Sequence, residues 1–154
     1  MLEPEFELQQ ENRNRAKILV VDDEERNRRL IEAMLVPLGY QVILACDGDE
    51  AVKKVSDTPP DVILLDIMMP KVDGFEVAKR LREDEKTKII PIVMVTALGE
   101  VKDRVKALEA GADDFLTKPV EKVELTARVN SLLKVKAYND LMRNYQRKLE
   151  ARVA

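Results

Sequence analysis

Histidine and tryptophan are absent from this 154-residue sequence, cysteine occurs once and glycine only five times. Without histidine there is no Ser-His-Asp or Cys-His catalysis, no imidazole metal ligand and no histidine general base. The lone Cys46 excludes an intrachain disulfide and any multi-cysteine zinc or iron–sulfur centre, and it fits a reducing compartment. No run approaches the ~20 apolar residues of a membrane-spanning helix. The acidic start MLEPEFELQQE lacks the basic-then-apolar plan of a signal peptide. A soluble, cytoplasmic protein with no membrane partner is expected. Neither sign of charge dominates: 26 Lys and Arg against 29 Asp and Glu leave a net charge of −3, which argues against non-specific nucleic-acid binding.

What is present describes a globular chain. Apolar residues make up 45% and charged residues 36%, so a core is affordable and the surface is heavily solvated. A chain of this length forms one domain that buries about two-thirds of its unfolded surface. Residues 1–15 are polar and aperiodic and read as a flexible arm. From residue 16 onward two kinds of segment alternate. Short apolar runs occur at KILVVDD (17–23), QVILACD (41–47), DVILLDI (61–67), PIVMVTA (91–97) and DFLTKP (114–119). Between them lie stretches with helical spacing, whose apolar faces are Leu30, Met34 and Leu38; Ala51, Val52 and Val55; Phe75, Ala78 and Leu81; and Val101, Val105 and Leu108. Glycines fall at the segment boundaries, Pro59-Pro60 stops the second helix, and Pro37 must end or kink the first.

Strands apolar on both faces, separated by helices, imply a parallel sheet covered on both sides. Five such units make an α/β doubly wound five-stranded parallel sheet, for which the flavodoxin-like order 2-1-3-4-5 is one common form. The compact domain is expected over 16–135. From Glu121 one helix runs to about residue 150, too long merely to cover the sheet. Val123, Leu125, Val129, Leu132 and Leu133 can pack on the sheet. Val135, Tyr138, Met142, Tyr145 and Leu149 then form a heptad-like seam on a protruding extension, 136–154, that needs a partner: a second copy, or an output domain outside this chain. Eight Lys and Arg against four Asp and Glu in 121–154 suit a solvated face. No second helix follows to build a helix-turn-helix reader of DNA.

Ligands of such sheets bind beyond the carboxyl ends of the strands. There the sequence places Asp22 and Asp23, Asp66, Thr96, and Lys118 before Pro119. Singly, each has an ordinary explanation, as a helix cap or a turn. Together they are three carboxylates that repel unless neutralised, one ammonium and one hydroxyl. An all-oxygen set suits Mg²⁺. An aspartate carboxylate can attack phosphorus to form an acyl phosphate. Mg²⁺ on Asp23 and Asp66, with Lys118 and Thr96 on phosphoryl oxygens, would supply the charge neutralisation that phosphoryl transfer needs.

The motifs ILVVDDEE, DVILLDIMMPKVDGFE, PIVMVTA and AGADDFLTKP, in this order and spacing, resemble those of the receiver domains of bacterial two-component response regulators, across about residues 16–135. The resemblance implies a phospho-accepting signalling switch rather than a turnover enzyme. Asp66 would accept a phosphoryl group from the phosphohistidine of a sensor histidine kinase or phosphotransfer protein. Asp23, Asp66 and the Met68 backbone carbonyl would bind Mg²⁺, with Asp22 helping through water. Lys118 would bridge to the phosphoryl group, Thr96 would turn toward it, and Phe115 would change rotamer with Thr96. The stretch LTARVNSLLKVKAYNDL is similar to helices that lead into cyclic-di-nucleotide enzymes. Met68 and Leu98, two residues past Asp66 and Thr96, are apolar and cannot orient an attacking water, which predicts a long-lived acyl phosphate.

Three rivals fit less well. A haloacid-dehalogenase-type phosphatase wants a second acid two residues after its nucleophile, where this chain has Met68. A nucleotide-binding domain wants a glycine-rich loop after the first strand, where VVDDEERN has no glycine. A non-signalling scaffold would be indifferent to Asp66→Asn.

Overall fold

A computed structural model describes residues 16–97 and 99–153. The expected arm, 1–15, and Leu98 lie outside the described residues. Five strands form one parallel sheet: β1 (Lys17–Val21), β2 (Gln41–Ala45), β3 (Val62–Asp66), β4 (Ile92–Thr96) and β5 (Asp114–Thr117). Their order is β2-β1-β3-β4-β5, the arrangement expected from sequence. The helices are α1 (Glu25–Leu35), α2 (Gly48–Asp57), α3 (Gly74–Glu83), α4 (Val101–Glu109) and α5 (Lys122–Val153). None among the described residues is long and apolar enough to cross a membrane.

The two-residue period of a strand sends alternate side chains to opposite faces. Ile18, Val20, Val62, Leu64, Val93 and Val95 build a core with α1 and α5. Leu19, Val21, Ile63, Leu65, Ile92 and Met94 build the other with α2, α3 and α4. β3 and β4 are buried at every position, as central parallel strands must be. Pro37 acts as anticipated: α1 stops at Leu35, a 3₁₀ turn spans Val36–Leu38, and Gly39 closes it at φ 96°.

Three packing expectations need correction. In α1 the fully buried pair is Ile31 and Leu35; Met34 and, in the following turn, Leu38 pack partly buried against the same core, and of the expected stripe only Leu30 is exposed. In α4, Val101, Val105 and Leu108 do share a face, but it faces outward, with Val101 75% exposed. Small residues (Ala107, Ala110 and Ala112) make the inner contact instead and let the segment approach the sheet closely. Val123, expected on the sheet, is 82% exposed, because the inward side of the first turns of α5 belongs to Leu125 and Val129.

Helix α5 is fastened where it passes the amino-end rim of the sheet. The Tyr40 hydroxyl donates to Asn130 Oδ1. The Lys136 ammonium sits 2.6 Å from Asp61 Oδ1, while Asp61 Oδ2 accepts the Lys17 backbone N–H at 2.8 Å. Beyond that clamp, residues 141–151 are all exposed.

Candidate functional site

The opposite rim carries the polar residues singled out above. β1 ends at Val21, so Asp22 and Asp23 fall just past the strand, before α1. Asp22 is buried, its Oδ1 accepts the Glu24 backbone N–H at 2.9 Å, and its carbonyl accepts from Arg28 Nη1 at 2.7 Å. Those contacts fix the loop so that the second carboxylate oxygen faces across the sheet. Asp23 beside it is exposed.

Asp66 is the last residue of β3 and only 5% exposed. Its Oδ1 accepts the Met68 backbone N–H at 3.3 Å. The chain then turns sharply, with Gly74 N–H donating to the Ile67 carbonyl at 2.9 Å. A Cβ on Gly74 would stand 2.4 Å from the Asp66 carbonyl oxygen, so only glycine allows the start of α3 to press against the end of β3. Met68 points outward, 61% exposed.

Lys118 follows β5, and its backbone N–H donates to the Thr96 carbonyl at 2.8 Å, while the Lys118–Pro119 peptide is cis. Its ammonium reaches back over the rim to Asp22 Oδ2 at 2.8 Å and Asp66 Oδ2 at 3.4 Å. Carboxylate oxygens of Asp22, Asp23 and Asp66 all lie within 4.8 Å of one another. Thr96, fully buried, ends β4 one register position beyond the Asp66–Val95 pair. Phe115 pairs with Met94, two residues below Thr96 on the same face, half-buried with the Arg104 guanidinium 5.7 Å from its ring. The structure thus gathers Asp22, Asp23, Asp66 and Lys118 into one cluster, sets Thr96 at the neighbouring strand end, and leaves Phe115 lower on the sheet.

One ammonium faces three carboxylates, and two of the three are buried. Burial and the neighbouring Asp22 charge raise the Asp66 carboxyl from its ordinary value near 3.8 to about 6, against the opposing pull of Lys118. Burial alone would lower the Lys118 ammonium, but its contacts to Asp22 and Asp66 outweigh that and raise it. Such a site has more negative charge than its own cation neutralises. Three convergent carboxylates, joined among the described residues by no imidazole or thiol ligand, suit a hard divalent cation.

Not every strand-end acid belongs here. Asp47 after β2 accepts the Glu50 backbone N–H at 2.8 Å, and Asp73 accepts the Glu76 backbone N–H at 3.0 Å; both are helix caps. Sequence reasoning missed the backbone donors of Glu24 and Met68, which residue type cannot reveal, and Arg28. Arg28 sits one turn into α1 with a reach only the fold discloses.

The family model of the response regulator receiver domain matches residues 18–130, and the chain belongs to that family, the phosphoacceptor switches of two-component signalling. The response regulator PleD of Caulobacter vibrioides is 50% identical over 128 residues, which cover 83% of this chain and 28% of PleD. The DNA-binding dual master transcriptional regulator RpaA of Synechocystis sp. is 45% identical over 118 residues, 77% of this chain and 49% of that protein. Among solved structures, the chemotaxis protein CheY4 of Vibrio cholerae superposes with a TM-score of 0.73 at 33% identity, covering 76% of this chain and 98% of that one. The receiver domain of a Francisella response regulator gives 0.72 at 35%, covering 77% and 97%. The chain therefore spans under half the length of the two curated relatives and nearly all of these two single-domain structures.

Proposed function

We propose that Asp66 is the phosphoacceptor and that Asp23, Asp66 and the Met68 backbone carbonyl hold Mg²⁺, with Asp22 supporting the metal through water. The observation that carries this reading is the Lys118 ammonium lying between Asp22 and Asp66 beside a third carboxylate, a cluster with unmet demand for positive charge. When bound, Mg²⁺ supplies the neutralisation that lets an anionic carboxylate meet an anionic phosphoryl group. An Asp66 carboxylate oxygen attacks phosphorus, the P–N bond of the donor phosphohistidine breaks, and its electron pair leaves with the imidazole nitrogen, which takes up a proton. Lys118 pairs with a phosphoryl oxygen, and the Thr96 hydroxyl donates to another. The aromatic ring of Phe115 follows Thr96 into the space the hydroxyl vacates, so phosphorylation shifts the balance between two states of the β4–β5 surface. Residues 16–135 form the switching unit, and 136–154 carry its state to an output.

The donor histidine lies outside these 154 residues, which contain none. An open groove of roughly 400 Å³ beside Lys118, lined by Leu30, Met34, Pro119 and Val120, offers a helix of a kinase or phosphotransfer protein an apolar seat next to Asp66. Such a partner places the protein in the cytoplasm. Met68, apolar and exposed, cannot orient a hydrolytic water, so self-dephosphorylation is slow. Similarity of the α5 segment to helices that precede cyclic-di-nucleotide enzymes makes that output class the first to assay.

Intact mass after incubation with Mg²⁺ and a small phosphodonor tests the reading. A gain of one phosphoryl group in the wild type, absent in Asp66→Asn and abolished by a chelator, is expected. A gain that persists in Asp66→Asn overturns the assignment.

A further inference from the structure

At the carboxyl-end rim, one side chain governs the loop that presents Asp22 and Asp23 without belonging to the carboxylate cluster. Strand β1 ends at Val21, in register with Ala45. The Asp22 backbone N–H still reaches the Ala45 carbonyl, at 3.1 Å, before the chain leaves the sheet. The Asp22 carbonyl finds its donor in a side chain instead, Arg28 Nη1 at 2.7 Å. Arg28 is the fourth residue of α1, and long side chains on a helix lean back toward its amino end, which brings this guanidinium down over the loop. The backbone N–H of the same residue donates to the Glu24 carbonyl at 3.1 Å and closes the first helical turn.

Arg28 therefore grips the loop on both sides of Asp23, and the Glu24 N–H, held by Asp22 Oδ1 at 2.9 Å, adds a third tie. Asp23, between these anchors, is exposed, yet its carboxylate oxygen stays within 4.8 Å of those of Asp22 and Asp66. An exposed side chain keeps such a place only if the backbone on either side of it is fixed.

We propose that Arg28 is a positioning residue for the metal: by pinning the Asp22 carbonyl it fixes the peptide between Asp22 and Asp23, and so holds the Asp23 carboxylate where it can share a cation with Asp66. This rests on Asp23 and Asp66 being the Mg²⁺ ligands proposed above. Charge and position make opposite demands of Arg28. As a cation at the rim, it repels Mg²⁺, so on charge alone its removal should tighten binding. As the anchor of the loop, its removal frees the Asp22–Asp23 peptide to rotate, and a ligand that must be ordered on binding weakens the site. Arg29, the next residue, turns to Glu25 at 3.4 Å and Glu32 at 3.8 Å and leaves the loop alone.

Calorimetric titration of the 154-residue chain with Mg²⁺, with no phosphodonor present, gives the test. Arg28→Met should bind Mg²⁺ about 10-fold more weakly than the wild type, the low end of the loss seen when an outer support of a metal ligand is removed. Arg28→Lys, which keeps a donor on a long stem, should fall between the two. Arg29→Met removes the same charge from the same helix and should stay within about twofold of the wild type. At saturating Mg²⁺ the rate of Asp66 phosphorylation in Arg28→Met should return to within about twofold of the wild type, which places the loss in the metal requirement and not in the chemistry. Wild-type or tighter affinity in Arg28→Met, an Arg28→Lys no tighter than Arg28→Met, an equal loss in Arg29→Met, or a rate that stays low at saturating Mg²⁺ each overturns the role of Arg28. A wild type that takes up no Mg²⁺ overturns the ligand assignment beneath it.

Discussion

Strand β3 has an aspartate–lysine pair at each end, and the two pairs behave differently. Asp61, just before the strand, gives one oxygen to Lys136 at 2.6 Å and the other to the Lys17 backbone N–H at 2.8 Å. Asp66, at the far end, shares Lys118 with Asp22, and Asp23 stands close by. At the first rim each acceptor has its donor, and the result is a clasp. At the second, carboxylates outnumber cations and two of them are buried, so charge is left over for a metal and a phosphoryl group. Identical residue types serve architecture when matched and chemistry when outnumbered.

Lys118→Met should lower the rate of Asp66 phosphorylation by a small phosphodonor on the order of 100-fold, the usual loss when one preorganised charge donor is removed. Lys136→Met, at the matched rim, should change that rate by less than about twofold, since it lies far from the reacting atoms. A comparable loss in both would erase the contrast.

Metal-free stability comes next. The Asp66 carboxyl is raised to about 6 in the folded protein, above its ordinary 3.8, so the folded state holds the extra proton between those values and loses stability as pH rises through 6. Without Mg²⁺, Asp66→Asn should therefore be more stable than the wild type by about 2–3 kcal/mol at pH 7.5, with the gap closing toward pH 4. Urea unfolding at the two pH values in the presence of a chelator reads this directly, and a wild type that equals Asp66→Asn at pH 7.5 would refute it. The same linkage makes 10 mM Mg²⁺ raise the melting temperature by several degrees, roughly, at pH 7.5 and less at pH 5, where the proton competes for Asp66.

The smallest effect belongs to the clasp. Lys136→Met should cost about 0.5–1.5 kcal/mol in urea unfolding, because Lys136 and Asp61 are roughly a quarter exposed and the second ion pair lost, to Asp140 at 3.8 Å, is long and half-exposed. A cost above about 3 kcal/mol would show that the amino-end rim is as strained as the other.

The strands were legible because four of the five are short β-branched runs closed by a turn or by a polar residue, a pattern that a parallel sheet buried on both faces demands, whereas their order came with a common form of the doubly wound sheet. Asp22, Asp23, Asp66 and Lys118 could be brought together from sequence for the same reason: the ends of parallel strands share a rim. In helix α4 the strongest periodicity marks the outer face. Val101, Val105 and Leu108 dominate any periodicity, yet the sheet takes Ala107, whose small side chain permits close approach and barely registers as an apolar signal. Leu30 misled similarly, since a stripe read at four-residue steps cannot tell its own edge from that of Ile31 and Leu35. The Lys136–Asp61 clasp spans 75 positions and has no local signature at all.

Of the three tyrosines, Tyr40 is buried against Asn130, and the other two, Tyr138 and Tyr145, stand on the exposed stripe of α5. With no indole in the chain to outshine them, the ultraviolet emission of the protein comes from one shielded phenol and two that stand in solvent. Release of α5 from the sheet should thus be visible as a loss of near-ultraviolet dichroism from Tyr40, with no dye attached, so the protein carries its own optical gauge of helix docking.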